Sequence, residues 1–308
     1  MPSWSELLDE FSALQDQEKS QWLSDRLDAA LADLASARDT NVVIYASGFL
    51  QKPMVPFYFT SITREDINGL MCAMKGLEFS KGLSLILHTP GGDMQATETF
   101  VDYLRNKFHF IETIVPVYAM SGGTLIALAS DQIVMGKQSQ LGPIDPQMPL
   151  VNGSASASSI LRQFEIAKNE ILGNRSSAAA WAPILQVMGP SLLQQAQYAL
   201  DCGQQMAEQW LKTYMFHDIA DAEERAREVA EYLNSEDVHL DHGRRIGYSE
   251  CEGIGLVVKD LDADQQFQDE ILTVYHLLTI GFEQSPAVKI VRNHLGKAWV
   301  KSFSVPTP

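Results

Sequence analysis

Two glycine-containing turns carry the residue types that chemistry on a carbonyl group requires. One turn has Ser121 followed by Gly122, and the other, further upstream, has Gly91 followed by Gly92. A serine hydroxyl at such a turn is a candidate nucleophile, and the glycines let a substrate carbonyl approach backbone N–H groups without an intervening Cβ. Paired N–H donors stabilise a tetrahedral intermediate by a few kcal/mol each. Two such turns side by side could hold a nucleophile and an oxyanion hole, although either turn alone is more often a plain loop between a strand and a helix.

Each turn lies between an apolar run of strand character and a helical pattern. Residues 83–87 precede the first turn and residues 114–118 precede the second, and Phe100, Val101 and Leu104 then recur at helical spacing. Carboxyl ends of parallel strands meet at one edge of a sheet, so we expect both turns there. The alternation of strand and helix over residues 41–135 predicts an α/β fold with parallel strands.

Composition excludes several classes of protein. The chain has 308 residues, of which 45% are hydrophobic, enough for a sizeable core. Its 39 acidic against 23 basic residues, a net charge of −16, argue against nucleic acid or an anionic membrane as the principal partner. Cys72, Cys202 and Cys251 lie far apart, which indicates reduced thiols rather than a disulfide scaffold or a metal site.

The ends of the chain are predicted to be helical. Residues 3–38 repeat apolar residues at helical spacing, and Asn41 to Ala46 is then the first core strand. Near the C-terminus, a last strand is expected from Ile254 to Val258, followed by helical patterns over 267–278 and around Ile290 to His294. We find no signal peptide in the first 26 residues and no apolar run long enough to span a membrane.

Three motifs in order give the chain a family resemblance. The two glycine turns, followed by the stretch from Gly142 to Gln147, resemble the Clp/crotonase-type serine peptidases, in particular the serine dehydrogenase proteinase family, a relative of signal peptide peptidase A. The resemblance covers most of residues 41–300. It implies an α/β fold built as a Clp/crotonase-like ββα superhelix with N- and C-terminal helical appendages. We expect a helical segment at 1–40, a catalytic domain at 41–260 and a helical packing or oligomerisation segment at 261–308.

The same resemblance implies an activity. A member of this family would be an ATP-independent, cytoplasmic serine endopeptidase that acts on peptides or proteins and forms a homo-oligomer. It would need no cofactor or metal, and it would have neither a nucleic-acid partner nor a membrane anchor. Ser121 would be the nucleophile. Gly92 and Gly122 would donate to the oxyanion, with Gly91 as the alternative because the sequence does not fix the register of the turn.

The base that activates the serine is the next question. A Clp-type triad is not expected, because no histidine lies between His109 and His217 and Asp145 stands where the catalytic histidine would be expected. Relatives of signal peptide peptidase A use a lysine instead, which needs a pKa lowered by burial to act as a base near neutral pH. The resemblance therefore implies a Ser-Lys dyad.

Lys168 is the lysine with the most unusual setting. It is spaced with Leu161, Phe164 and Ile171 in a helical apolar stripe, which predicts that it faces the protein. The alternative is a stem that lies along apolar surface with its amine in water. Lys137, in the turn after the strand at 132–135, is the second candidate base, although a solvated loop lysine is the more common role for such a residue.

The histidines have structural interpretations. We expect His88, directly before the first glycine turn, to bond backbone groups and shape that turn. His239 and His242 lie three residues apart, but without a third ligand nearby they indicate a structural or substrate-loop role rather than a metal site.

Two other functions are compatible with this fold. A crotonase-like acyl-CoA hydratase or isomerase would also use paired backbone N–H groups, but it would need acidic catalysts and a basic surface for CoA, and neither is evident. A catalytically inactive Clp-fold scaffold is expected if no lysine reaches Ser121.

Overall fold

The structure is a computed structural model that describes residues 3–150, 153–188 and 191–304. Its strands, in chain order, are β1 (Asn41–Ser47), β2 (Leu83–His88), β3 (Ile111–Val115), β4 (Tyr118–Ala119), β5 (Gln132–Met135), β6 (Gln140–Leu141), β7 (Gln147–Leu150), β8 (Gly153–Ser156), β9 (Ile246–Gly247), β10 (Val258–Asp260), β11 (Ala287–Asn293) and β12 (Ala298–Ser302).

The central sheet has the strand order β10-β5-β3-β2-β1-β11-β12. Strands β1, β2, β3, β5 and β10 are parallel, which confirms the parallel α/β prediction. β11 runs antiparallel to β1 and to β12. A small second sheet, β4-β6-β9, follows the carboxyl ends of the central strands, and β7 and β8 form a hairpin.

Helices cover both faces of the central sheet. They are α1 (Trp4–Ser12), α2 (Asp16–Arg38), α3 (Ile67–Ala73), α4 (Met94–Arg105), α5 (Gly122–Leu128), α6 (Ala157–Gly173), α7 (Ala178–Met188), α8 (Leu192–Trp210), α9 (Ala222–Asn234), α10 (Glu236–His239), α11 (Tyr248–Gly253) and α12 (Gln265–Gln284). A π-helical turn, Leu211–Met215, follows α8.

The central sheet separates two hydrophobic cores, because successive side chains of each strand point to opposite faces of the sheet. Val43 and Tyr45 of β1 point into the core shared with α3, α4, α5, α8 and α9. Val42 and Ile44 point into the opposite core, which α1, α2 and α12 cover. Because both faces are buried, the middle of β1 is a continuous run of mostly apolar residues, as is common for parallel strands in α/β proteins.

The chain ends confirm part of the sequence interpretation. Helices α1 and α2 occupy the predicted N-terminal helical region, and α12 occupies the first C-terminal one. The predicted helix around Ile290 to His294 is wrong, since Ala287–Asn293 is strand β11 in the central sheet. The expected strand from Ile254 is shifted, because β10 begins only at Val258. Residues 1, 2 and 305–308 of the predicted end segments lie outside the described residues.

Candidate active site

Ser121 stands in a strained conformation between β4 and α5. Its φ is 53° and its ψ is −115°, although it is not a glycine. Such a backbone costs a non-glycine residue on the order of 1–3 kcal/mol and persists where the surrounding structure enforces it. Ser121 is half-buried, and its Oγ takes part in no hydrogen bond among the described residues. A serine on a tight turn from strand to helix is the arrangement that presents a nucleophile in hydrolases.

The glycine turn after β2 lies directly against this serine. Gly91 has a φ of 90°, and a Cβ built on it would lie 2.5 Å from the carbonyl oxygen of Met120 and 2.7 Å from Cβ of Ser121. Only glycine fits this contact. The N–H of Gly91 donates to Oγ1 of Thr89 at 3.2 Å. Gly91 is therefore less suited than its neighbour to donate to a substrate.

The N–H of Gly92 has no acceptor in the part of the chain that the structure describes. Ile62 bridges this turn, because the N–H of Ile62 donates to the carbonyl of Gly91 at 2.7 Å and the N–H of Asp93 donates to the carbonyl of Ile62 at 2.9 Å. Gly92 lies between the two bonded residues, Gly91 and Asp93. In a parallel bridge, such a middle residue points its own N–H away from the partner segment. A Cβ on Gly92 would lie 2.3 Å from the Ile62 carbonyl oxygen, so glycine is required there as well.

Gly122, the first residue of α5, lies beside Gly92. The nitrogen of Gly92 is 3.3 Å from the position that a Cβ on Gly122 would occupy. The N–H of a first helical residue has no acceptor within its own helix. Two backbone N–H groups without a protein acceptor, in the described residues, therefore lie side by side next to Ser121. Paired backbone N–H donors of this kind are able to stabilise a developing oxyanion.

Thr124 joins this turn to the third motif. Its hydroxyl lies 2.9 Å from the carbonyl oxygens of Ala119 and Gly142, and it accepts the N–H of Gly142 at 3.0 Å. Thr124 caps no helix among the described residues, whereas the side chain of Asp93 caps α4 by accepting the N–H of Ala96 at 2.7 Å. The first residue of the stretch from Gly142 to Gln147 is thus bonded to the helix that begins after Ser121.

Comparison with known proteins agrees with these features. A family model described as ClpP-like SDH-type serine proteinase matches residues 8–179, more than half of the chain. The chain belongs to the ClpP-like SDH-type serine proteinase family. The family resemblance and the fold class predicted from the sequence are therefore confirmed.

Two curated relatives come from Methanocaldococcus jannaschii. Uncharacterized protein MJ0137 is 40% identical over 139 residues, which are 44% of this chain and 46% of that protein. Uncharacterized protein MJ1495 is 40% identical over 116 residues, which are 38% of this chain and 37% of that protein. The matched part thus spans less than half the length of each relative. A solved structure, a serine-to-alanine mutant of the 1510-N membrane-bound stomatin-specific protease, matches 66% of this chain and 77% of its own at 16% identity, with a TM-score of 0.38.

Lys168 does not lie where the apolar stripe predicts. Its side chain is 51% exposed, and its Nζ lies 3.1 Å from the carboxylate of Glu165 on the same helix. The buried side of α6 is formed by Ala157, Ile160 and Ala167 instead. The expectation that Lys168 faces the interior of this SDH-type proteinase is wrong. Lys137 is also exposed.

A histidine that the sequence did not single out as a base pairs with Asp145. Nδ1 of His242 lies 2.7 Å from Oδ1 of Asp145, although 97 positions separate them in the chain. The side chain of Asp145 is 5% exposed and that of His242 is 28% exposed. Gln147 donates to the other oxygen of Asp145 at 2.7 Å. A carboxylate held in this way fixes an imidazole by one nitrogen and leaves the other free.

His239 and His88 are both buried, and neither belongs to the pair formed by His242 and Asp145. His239 is buried, with Nε2 2.8 Å from the carbonyl of Tyr232, and so it does not share a ligand site with His242. Neither ring nitrogen of His88 has a hydrogen-bond partner among the described residues, so the predicted backbone bond is wrong. Burial without a partner lowers the pKa of His88 to about 3.

Metal clusters and membrane spans are both absent from the part of the chain that is described. No group of three or more His, Cys, Asp or Glu side chains is placed to hold a metal ion there. Among the described helices, none combines the length and the apolar character that crossing a membrane requires.

Proposed function

We propose that this chain is an ATP-independent, cytoplasmic serine endopeptidase. Ser121 would attack the carbonyl carbon of a scissile peptide bond, and the N–H groups of Gly92 and Gly122 would hold the oxygen of the tetrahedral intermediate. One observation carries the proposal: a strained serine lies next to two backbone N–H groups that no acceptor among the described residues uses. Loss of one such donor costs about 3 kcal/mol of transition-state stabilisation.

The proton of Ser121 needs a base, and the contacts support His242 more than Lys168. Asp145 would keep the proton of the imidazole on Nδ1, so that Nε2 can accept the serine proton and later return it to the leaving amine. Asp145 lies three residues after Gly142, which Thr124 bonds to the helix that begins after Ser121. The Ser121–Lys168 dyad stays a prediction, and it requires the amine to leave Glu165.

The substrates, the assembly and the roles of the chain segments are further proposals. Peptides or proteins are the proposed substrates, a homo-oligomer is the proposed assembly, and no cofactor takes part. We propose that residues 41–260 carry the reacting groups, whereas the segments at 1–40 and 261–308 support them. An acyl-CoA hydratase or isomerase is less well supported, because a strained serine has no role in that chemistry. An inactive scaffold is also less well supported, because it would not need a strained serine.

A fluorophosphonate probe tests the nucleophile. Wild-type protein should be labelled and should cleave a casein or peptide substrate, and Ser121→Ala should abolish both. Ser24→Ala, which changes a half-buried serine on α2, is the matched control and should keep both activities. Unlabelled wild-type protein, or labelling that survives in Ser121→Ala, would rule out the proposed nucleophile.

The same probe distinguishes the two bases. His242→Gln should slow labelling about 100-fold or more, the usual contribution of a general base, whereas Lys168→Met should stay within about twofold of wild type. Glu165→Gln, which releases Lys168 from its partner without removing it, is the control for a change of charge on α6. Slow labelling of Lys168→Met together with near wild-type labelling of His242→Gln would refute the role of His242 and support the Ser121–Lys168 dyad.

A further inference from the structure

A fully buried ion pair joins the C-terminal strand β11 to the segment that precedes α3. Lys289 is 0% exposed and Asp66 is 1% exposed, and Nζ of Lys289 lies 2.5 Å from Oδ1 of Asp66. The same amine donates to the carbonyl oxygen of Ser61 at 2.8 Å and approaches Oγ1 of Thr63 at 3.3 Å. The donors of this lysine therefore converge on residues 61–66.

The carboxylate of Asp66 completes the network. Its Oδ2 accepts the N–H of Thr63 at 2.9 Å and the hydroxyl of Tyr45, on β1, at 2.6 Å. Burial lowers the pKa of Lys289, and the charge of Asp66 opposes that effect. Buried ion pairs are often replaceable by apolar residues without loss of stability, so stability alone does not account for this one.

The network holds the segment that orients Gly92. Its bonds to Ser61 and Thr63 lie on either side of Ile62, and Ile62 forms the bridge to the Gly91–Asp93 turn. The backbone of Gly92 packs so closely on Ile62 that no Cβ fits between them. A shift of Ile62 would consequently turn the free N–H of Gly92.

We propose that Lys289 and Asp66 are positioning residues, which fix Ile62 and thereby aim the N–H of Gly92 at the oxyanion. This inference rests on the proposed peptidase function. Neither side chain contacts the substrate in this scheme. Both act through the backbone of residues 61–63, and strand β11 thereby supports the proposed oxyanion site.

The test replaces the pair by neutral residues of similar size, Lys289→Met with Asp66→Asn. The asparagine side chain would keep an acceptor for Thr63 and Tyr45, so the variant should fold. The matched control is Arg38→Met with Glu112→Gln, which neutralises another ion pair with a buried carboxylate. That pair has N–O distances of 2.6 Å at the opposite end of the central sheet, where β3 begins.

Two readouts separate positioning from general loss of structure. Peptide hydrolysis should show kcat reduced roughly 10- to 100-fold with KM within about threefold in the Lys289 variant, since the defect concerns only the transition state. The control variant should keep kcat within about threefold. Hydrogen exchange at the Asp93 amide, which donates to Ile62, should be faster in the Lys289 variant than in the control.

The outcomes are distinct. Unchanged kcat and unchanged exchange at Asp93 in the folded Lys289 variant, or equal losses of kcat in both variants, would overturn the positioning role. If the double variant does not fold, Tyr45→Phe, which removes the hydroxyl donor to Asp66 and keeps the ion pair, should give a smaller loss of kcat, and no loss would again overturn the positioning role. A wild-type protein without peptidase activity would instead remove the proposed function, while the exchange experiment would still decide whether the pair holds the turn.

Discussion

Burial of His88 should make the protein sensitive to mild acid. The ring lies among aromatic side chains, with centroid distances of 5.1 Å to Phe49, 6.0 Å to Tyr118 and 5.1 Å to Tyr275. Both ring nitrogens are buried without a partner. Desolvation lowers the pKa from 6.5 to about 3, so the native state keeps this ring neutral where an unfolded chain would protonate it.

The sign and size of the effect follow from proton linkage. Below pH 6.5 the unfolded state binds one more proton than the native state, so the free energy of unfolding falls as the pH falls, until the native ring itself titrates near pH 3. Each pH unit in that window contributes about 1.4 kcal/mol, and between pH 7 and pH 5 the loss due to His88 is about 2 kcal/mol.

Replacement of the ring tests this reasoning. Urea unfolding at pH 7 and pH 5 should show that His88→Phe loses about 2 kcal/mol less stability than wild type over that interval. Tyr275→Phe, which alters a neighbour in the same cluster without removing the imidazole, should keep the wild-type loss. The reasoning fails if His88→Phe and wild type lose the same free energy between the two pH values.

Three further predictions concern residues at the site and the thiols. Gly91→Ala should reduce fluorophosphonate labelling by about tenfold or more, because its Cβ would overlap the Ser121 turn. Ser121→Gly should abolish labelling and raise the free energy of unfolding by about 1 kcal/mol, as a φ of 53° suits glycine, which urea titration measures. A thiol reagent at pH 8 should modify exposed Cys202 but not Cys251 in the native protein, because burial raises the pKa of Cys251 to about 12; unfolding in urea should make both react.

Local patterns predicted the framework of the site well. The strands before both glycine turns and the helices after them are short-range features, set by apolar spacing and by turn residues. The structure accordingly places Ser121 and Gly92 where parallel strands end, side by side. Whether they act as nucleophile and oxyanion donor stays a prediction that only the labelling experiments decide.

The proposed base, His242, lies beyond the reach of local sequence patterns. Helical spacing shows which residues share a side of α6, but it does not say which side is buried, and the small residues Ala157 and Ala167 proved to face the protein instead of the stripe with Lys168. The pairing of His242 with Asp145 depends on how the chain between α9 and β9 returns to the site, which no spacing in the sequence encodes. Chain order alone therefore does not exclude a histidine base.

Strand β11, where the sequence pattern predicted a helix, carries a residue that we propose to support the site. Val288, Ile290 and Val291 suit a helix as well as a strand by their spacing, and a lysine among them argues against a buried strand. Lys289 is nevertheless buried, since Asp66 and the Ser61 carbonyl supply its partners from a segment more than 200 residues earlier. A buried lysine opposite a carboxylate is costly to leave unpaired, so the two must be retained or lost together. Variants that change only one of them should accordingly be much less stable than the double variant.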